Sequence, residues 1–222
     1  MGSNKRDLLG HEERWIVLIR VHQRRRQAGF SLIELMIGLA IFGVLLAIGI
    51  PAFQSYSVNT KLLAGAQSLM SGLQRARAEA IRTNRAVQLV LTDGINDPNT
   101  TSLSATGQDW IVRSFNLDTA SYDFVHAKAG AEGGITGSVI VSATDAAAGP
   151  LTTIEFNGLG GTTLLSVATI AFAPVNGTCA TATTPSDLRC VSVIVTPGGR
   201  TQICDPTIAA TATSDTRRCI TT

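Results

Sequence analysis

Histidine and charge are both scarce in this chain. Three histidines occur among 222 residues, and beyond the first 29 only His126 is left. A histidine-rich metal centre or a Ser–His–Asp triad would have that single imidazole to work with. Charged residues make up 15% against 45% hydrophobic, and the mean hydropathy is +0.23. Soluble domains carry about a quarter charged residues, so part of the chain is expected in lipid. The apolar richness also excludes an intrinsically disordered chain. The chain has no C-x-x-C pair and no G-x-S-x-G elbow. Gly158-Leu159-Gly160-Gly161 departs from G-x-G-x-x-G and leads into a strand-like segment, which removes a dinucleotide site. Asp93, Asn96, Asp97 and Asn99 miss the EF-hand spacing and read as a polar turn. An enzyme is therefore not expected, nor a cofactor, nor a bound metal.

The net charge of +2 hides an asymmetry. Residues 1–29 hold seven Lys/Arg against three Asp/Glu, whereas residues 30–222 hold eleven against thirteen. A chain without its first 29 residues would be slightly acidic. General nucleic-acid binders show a basic surplus instead.

The run Phe30–Phe53, FSLIELMIGLAIFGVLLAIGIPAF, is 24 residues long and has one ionisable side chain, Glu34. As a helix it reaches about 36 Å, enough for a hydrocarbon core of about 30 Å. Arg24, Arg25 and Arg26 precede it, and positive charge there holds an N-terminus on the cytoplasmic side. A secretory signal has a shorter apolar region closed by a small-residue cleavage site, a poor fit. A plain uncleaved anchor leaves Glu34 unexplained, since a carboxylate in a spanning helix costs about 2.5–3.5 kcal/mol.

Gly29-Phe30-Ser31-Leu32-Ile33-Glu34 resembles the prepilin cleavage and methylation motif of type IV pilins and type II secretion pseudopilins. The resemblance implies a leader over 1–29, removed by a prepilin peptidase between Gly29 and Phe30, and N-methylation of the new terminal amine on Phe30. It makes Glu34 the fifth mature residue and Pro51 the helix-kinking proline. A neighbouring subunit's Phe30 amine would then neutralise Glu34 and set its register in a fibre. The leader, at 29 residues, is long for the family.

After Pro51 the pattern becomes amphipathic. Leu62, Leu63, Ala66, Leu69, Met70, Leu73, Ala76, Ala80 and Ile81 recur at spacings of three and four, the mark of a one-faced helix. One helix is expected from about Phe30 to about Asn84, bent at Pro51. Its parts are a transmembrane and assembly half over 30–53 and an amphipathic half over 54–85. Arg75, Arg77, Arg82 and Arg85 read as a solvated helix face with cations near the C-terminal end, in preference to a phosphate contact.

From Ala86 the period shifts towards two. Strands are expected at Val87–Thr92, Trp110–Phe115, Tyr122–Val125, Ser138–Ser142, Thr152–Phe156, Ser166–Phe172, Cys190–Thr196 and Thr201–Cys204, punctuated by turn residues. Gly94–Gly107 reads as an exposed loop and His126 as a surface or strand-edge residue. The fold class is α+β: a long N-terminal helix packed on a β-rich domain over 86–222. Leu73-Gln74-Arg75-Ala76-Arg77-Ala78-Glu79-Ala80 followed by a strand, with the late Gly199-Arg200-Thr201-Gln202-Ile203-Cys204, resembles the GspH/FimT, FimU-like branch of minor pilins and pseudopilins.

Cys179, Cys190, Cys204 and Cys219 all lie in the last 44 residues, beyond the membrane in this topology, where disulfides persist. Of three connectivities, Cys179–Cys190 with Cys204–Cys219 closes the shortest loops and is favoured. The resemblance implies a single-pass inner-membrane subunit with a periplasmic C-terminal domain, periplasmic or extracellular once in the fibre. Its partners would be other major and minor pilins or pseudopilins, met through the N-terminal helix. It would prime or cap a type IV pilus; the alternative is a minor pseudopilin of type II secretion. A further alternative is DNA capture, since some FimT-like proteins bind DNA through a C-terminal G-R-x-R element. Here Gln202 stands at its second arginine, and Arg200, Arg217, Arg218 and Arg189 would supply the contacts.

Overall fold

The computed structural model describes residues 30–219 apart from 96, 146, 182, 210 and 213. The chain divides into two compact units with a boundary between Val44 and Leu45, and all packing described below lies in the second. Helix α1 spans Leu32–Thr83, 52 residues, and runs through Pro51 without a break in its secondary structure. From Phe30 to Val44 every side chain is exposed.

The helix ends at Asn84, which adopts the left-handed conformation with φ 51°. The Arg85 amide then reaches back to the Ala80 carbonyl at 3.3 Å. That bond, from the second residue past the cap to the third carbonyl inside, is the Schellman closure, with asparagine in the place usually held by glycine. The chain is thereby turned directly into the first strand.

Eight strands follow: β1 Val87–Thr92, β2 Asp109–Asn116, β3 Ser121–Lys128, β4 Val139–Thr144, β5 Thr153–Phe156, β6 Ala168–Pro174, β7 Val191–Val195 and β8 Thr201–Cys204. A short 3-10 helix, Gly130–Gly133, lies between β3 and β4. The strands form two antiparallel four-stranded sheets, ordered β3-β2-β1-β5 and β4-β6-β7-β8. All eight expected strands are present, with ends shifted by at most three residues.

Loops stitch the two sheets together at both ends. The Ala143 amide of β4 donates to the Ala105 carbonyl in the β1–β2 loop at 2.9 Å, and the Leu151 amide donates to the Ala143 carbonyl. At the other end the Thr163 amide donates to the Glu155 carbonyl of β5, while the Thr162 amide donates to the Pro197 carbonyl beyond β7 at 2.8 Å. Open strand edges invite pairing with other chains, and these bonds occupy part of them.

One core unites α1 with both sheets. Leu62, Ala66, Leu69, Leu73, Ala76 and Ala80 share it with Leu89 and Val112 of the first sheet and Ile170 and Val193 of the second. Fully burying a Leu, Ile or Val among them stabilises by about 1.5–3 kcal/mol, an alanine by less. The buried stripe is narrower than the sequence pattern: Leu63 and Ile81 are 42% and 52% exposed. The Trp110 indole of β2 packs against the helix at Gly72, where a Cβ would stand 2.8 Å from it. Glycine is thus required there by close approach.

The loop over Gly94–Gly107 is exposed at most of its described residues, as expected, but it is also tied down. Leu103 bridges to Thr92, and the Ser104 amide donates to the Leu91 carbonyl. Arg113 of β2, only 8% exposed, donates to the Pro98 carbonyl at 2.5 Å and to Gln88 Oε1 at 3.0 Å, and it stacks on Tyr122 at 3.8 Å. Truncating it leaves two part-buried acceptors without their donor, which costs up to about 1–3 kcal/mol. Arg113→Ala is expected to lower the unfolding free energy by that amount in a urea titration, seen as a lower midpoint with an unchanged m-value; an unshifted midpoint would show that the arginine does not anchor the loop.

Candidate functional site

Glu34 sits in the first turn of α1, which begins two residues after Phe30; the Leu35 amide donates to the Ser31 carbonyl there at 3.2 Å. Around it the helix is apolar, with Leu32, Ile33, Leu35, Met36 and Ile37 all more than half exposed. An 18-residue window of α1 has mean hydropathy 2.5, long and apolar enough to cross a membrane. Among the described residues none covers this segment, and its length and composition would let it cross a membrane. Phe30 itself is 83% exposed. Gly29, the expected cleavage residue, and the rest of 1–29 lie outside the described residues. Pro51 is helical.

The cysteines are joined as Cys179–Cys190 and Cys204–Cys219, with Cα separations of 5.5 and 5.0 Å. The second staples the tail back to β8, where Asp205 bridges to Arg218 and its amide donates to the Arg217 carbonyl at 2.7 Å. Closing a loop of 15 residues stabilises by about 3 kcal/mol in the chain-entropy model. Replacing Cys204 and Cys219 together by alanine should lower the unfolding free energy by up to that amount in a denaturant titration; no change would mean that the tail is held by its hydrogen bonds alone.

The expected basic cluster is only partly assembled. Arg189 and Arg217 line one polar groove, but Asp205 lines it too. Arg217 is paired with Asp215 at 2.9 Å, and Arg200 donates to Gln202 Oε1 at 2.9 Å. Gln202, the residue that departs from the G-R-x-R pattern, donates in turn to the Thr216 carbonyl at 2.6 Å. It therefore knits the turn to the tail.

On the helix, Arg82 pairs with Glu79 at 2.5 Å, and Arg75 and Arg85 are exposed. Arg77 corrects the solvated-face reading, because it is half-buried and its Nε is sealed from solvent. Neither Arg77 nor Arg113 is marked out by local sequence. Both are enclosed by loops far away along the chain, and no periodicity reports that. Among the described residues, no group of three or more His, Cys, Asp or Glu could hold a metal ion.

His126 lies on β3, an edge strand, with its ring 5.5 Å from the Trp110 ring. Burial lowers its pKa below the ordinary 6.5, helped by the positive charges of Arg75 and Lys128 and opposed by Glu132. The folded state therefore disfavours the imidazolium. Its share of stability is fully present above pH 6.5 and is lost as the pH falls through the depressed value. Thermal midpoints measured from pH 8 to pH 5 should fall less steeply for His126→Gln than for the parent; equal slopes would exclude the histidine as a contributor.

Two family models match the chain. One, described as a prokaryotic N-terminal methylation motif, covers residues 24–50, and the other, described as type II transport protein GspH, covers residues 65–199. Curated relatives include a fimbrial protein of Pseudomonas aeruginosa, 43% identical over 63 residues, a match that spans 28% of this chain and 40% of that one. The fimbrial protein EcpC of Eikenella corrodens is 32% identical over 108 residues, 46% of this chain and 71% of its own. Among solved structures, the type IV minor pilin FimU of Pseudomonas aeruginosa overlaps 67% of this chain and 91% of its own, at 16% identity and a TM-score of 0.44. The minor pseudopilin EpsH from the type 2 secretion system of Vibrio cholerae overlaps 68% and 99%, at 12% identity and a TM-score of 0.43. With an exposed apolar helix that carries the methylation motif at its head, and the GspH model covering well over half of its length, the chain belongs to the GspH family of the type IV pilin and pseudopilin superfamily.

Proposed function

We propose that this protein is a minor fibre subunit that primes or caps a type IV pilus assembled at the inner membrane. Members of this superfamily are structural subunits, not enzymes. The observation that carries the reading is Glu34, the one ionisable group in a 24-residue apolar run, placed one helical turn from Phe30.

The proposed sequence of events starts with the basic leader held on the cytoplasmic side by Arg24, Arg25 and Arg26. A prepilin peptidase cuts between Gly29 and Phe30 and methylates the new amine. Glycine before the scissile bond lets the peptidase approach the backbone closely. The Phe30 amine remains cationic after methylation. In the membrane Glu34 is costly alone, and a neighbouring subunit's Phe30 amine offsets that cost through a charge-assisted hydrogen bond. Only one axial offset between helices brings the two together, so the pair selects register. The β-rich domain is then on the periplasmic side, where both disulfides are stable.

A second reading, a minor pseudopilin that drives export through a type II secretion system, is supported by the description of the matching family model. Loss of the protein would then reduce protein export and leave surface pili intact. Nucleic acid is left out of the proposal: Arg200 and Arg217 are each engaged within the subunit, and Asp205 shares the groove.

Glu34→Ala is the decisive variant. It should still be trimmed at Gly29, yet its recovery in sheared fibres should drop at least about tenfold, while Glu34→Asp retains part of it. Fibre recovery of Glu34→Ala at the parent level would remove the pairing from the account.

A further inference from the structure

We propose that the nook around Arg77 receives a carboxylate that an adjoining fibre subunit presents next to an aliphatic side chain; this rests on reading the chain as a fibre subunit. Among the described residues Arg77 makes no hydrogen bond or ion pair, and its Nε is sealed from solvent. The side chain as a whole is half-buried, so the terminal nitrogens of the guanidinium still reach the surface.

Two turns enclose it. One is Asn157–Gly161 after β5, and the other is Pro197–Arg200 between β7 and β8. A Cβ at Gly160 would stand 3.0 Å from Arg77 Nε and 2.9 Å from Ile81 Cδ1, and one at Gly199 would stand 3.4 Å from Arg77 Nε. The guanidinium thus lies where the helix meets both turns. The other enclosed or paired arginines have matched partners: Arg113 has Gln88 and the Pro98 carbonyl, Arg82 has Glu79, and Arg217 has Asp215. Glu79, two residues along the helix, is already committed to Arg82. A half-buried cation with no counter-charge draws in an anionic group strongly, because the surroundings screen it less than water would.

The collar of the nook favours a protein carboxylate over a polyanion. Ile81 is 52% exposed, and Leu159, next to Gly160, is 92% exposed. A phosphate backbone would gain one guanidinium and meet two bare aliphatic side chains. An aspartate or glutamate beside a Leu, Ile or Val satisfies both features. The fold itself supplies a protrusion of this form. At the β2–β3 hairpin tip Leu117 is 75% exposed, and the Asp118 beside it has no side-chain partner among the described residues. A patch on one subunit meeting a different protrusion on the next is a heterologous contact.

The test uses the full chain in cells that make the fibre, with the photo-crosslinking residue p-benzoylphenylalanine in place of Leu159. Crosslinked peptides are sequenced by mass spectrometry. The expected product joins position 159 to a fibre subunit within a few residues of an Asp or Glu. Arg77→Glu should lower its yield at least about tenfold, and reversing that acid to lysine in the partner should restore it. Leu159→Asp, at a site where folding is not at stake, should lower recovery in fibres severalfold. A processed, fibre-incorporated chain overturns the inference if position 159 crosslinks to nothing, to nucleic acid, or to a segment without an acid. An unreduced yield with Arg77→Glu overturns it too. A chain that is never trimmed, or never found in fibres, has a different signature: it removes the fibre-subunit reading and this contact with it.

Discussion

A carboxylate near the head of an otherwise uncharged apolar helix is the constraint on which the proposed account of this molecule depends. Glu34 is surrounded along α1 by Leu, Ile, Met and Phe side chains that none of the described residues covers. Hydrocarbon can cover those side chains, but it cannot satisfy the carboxylate. Water, protonation or a cation can, and of these only a cation on a neighbouring helix fixes a position along the fibre. The terminal amine that processing would expose on Phe30 is such a cation. Leader removal and assembly are then two consequences of one electrostatic requirement.

The same helix serves the second unit by different physics. Beyond the apolar span its residues alternate between a buried stripe and a solvated face, and the stripe closes the core between two four-stranded sheets. Small residues on that stripe, Gly65, Ala66, Gly72, Ala76 and Ala80, let the strands come close. The Trp110 ring against Gly72 is the clearest instance. Hydrogen bonds from Arg113, and the Cys204–Cys219 bridge, then fasten segments with little apolar surface of their own.

Much of this was legible in the sequence because it depends on neighbours along the chain. The apolar run, the return of a helical period after Pro51, and eight β-branched stretches between Gly, Pro, Asn and Asp turns are local signals, and the helix and all the strands follow them. The division into two sheets was not legible, since it rests on pairings such as Leu89 with Ile154 and Val141 with Phe172, which join strands that are not consecutive along the chain. Helical spacing put Leu63 and Ile81 on the buried stripe, but both flank it and stay largely exposed. Arg77 read as solvated for a related reason. Its enclosure is made by turns some 80 and 120 residues further on, and nothing in the helix anticipates them. At the candidate assembly site the sequence was the richer source, because the motif is linear and its chemistry acts between subunits.

The central claim, that Glu34 is matched by a terminal amine which only processing can create, is tested most directly by intact-mass and N-terminal fragment spectrometry of the protein extracted from its native membrane. The account predicts a chain that starts at Phe30 with one methyl group on its amine. A chain that retains Arg24, Arg25 and Arg26 ahead of an unmodified Phe30 would contradict it, because the cation that balances Glu34 would not exist.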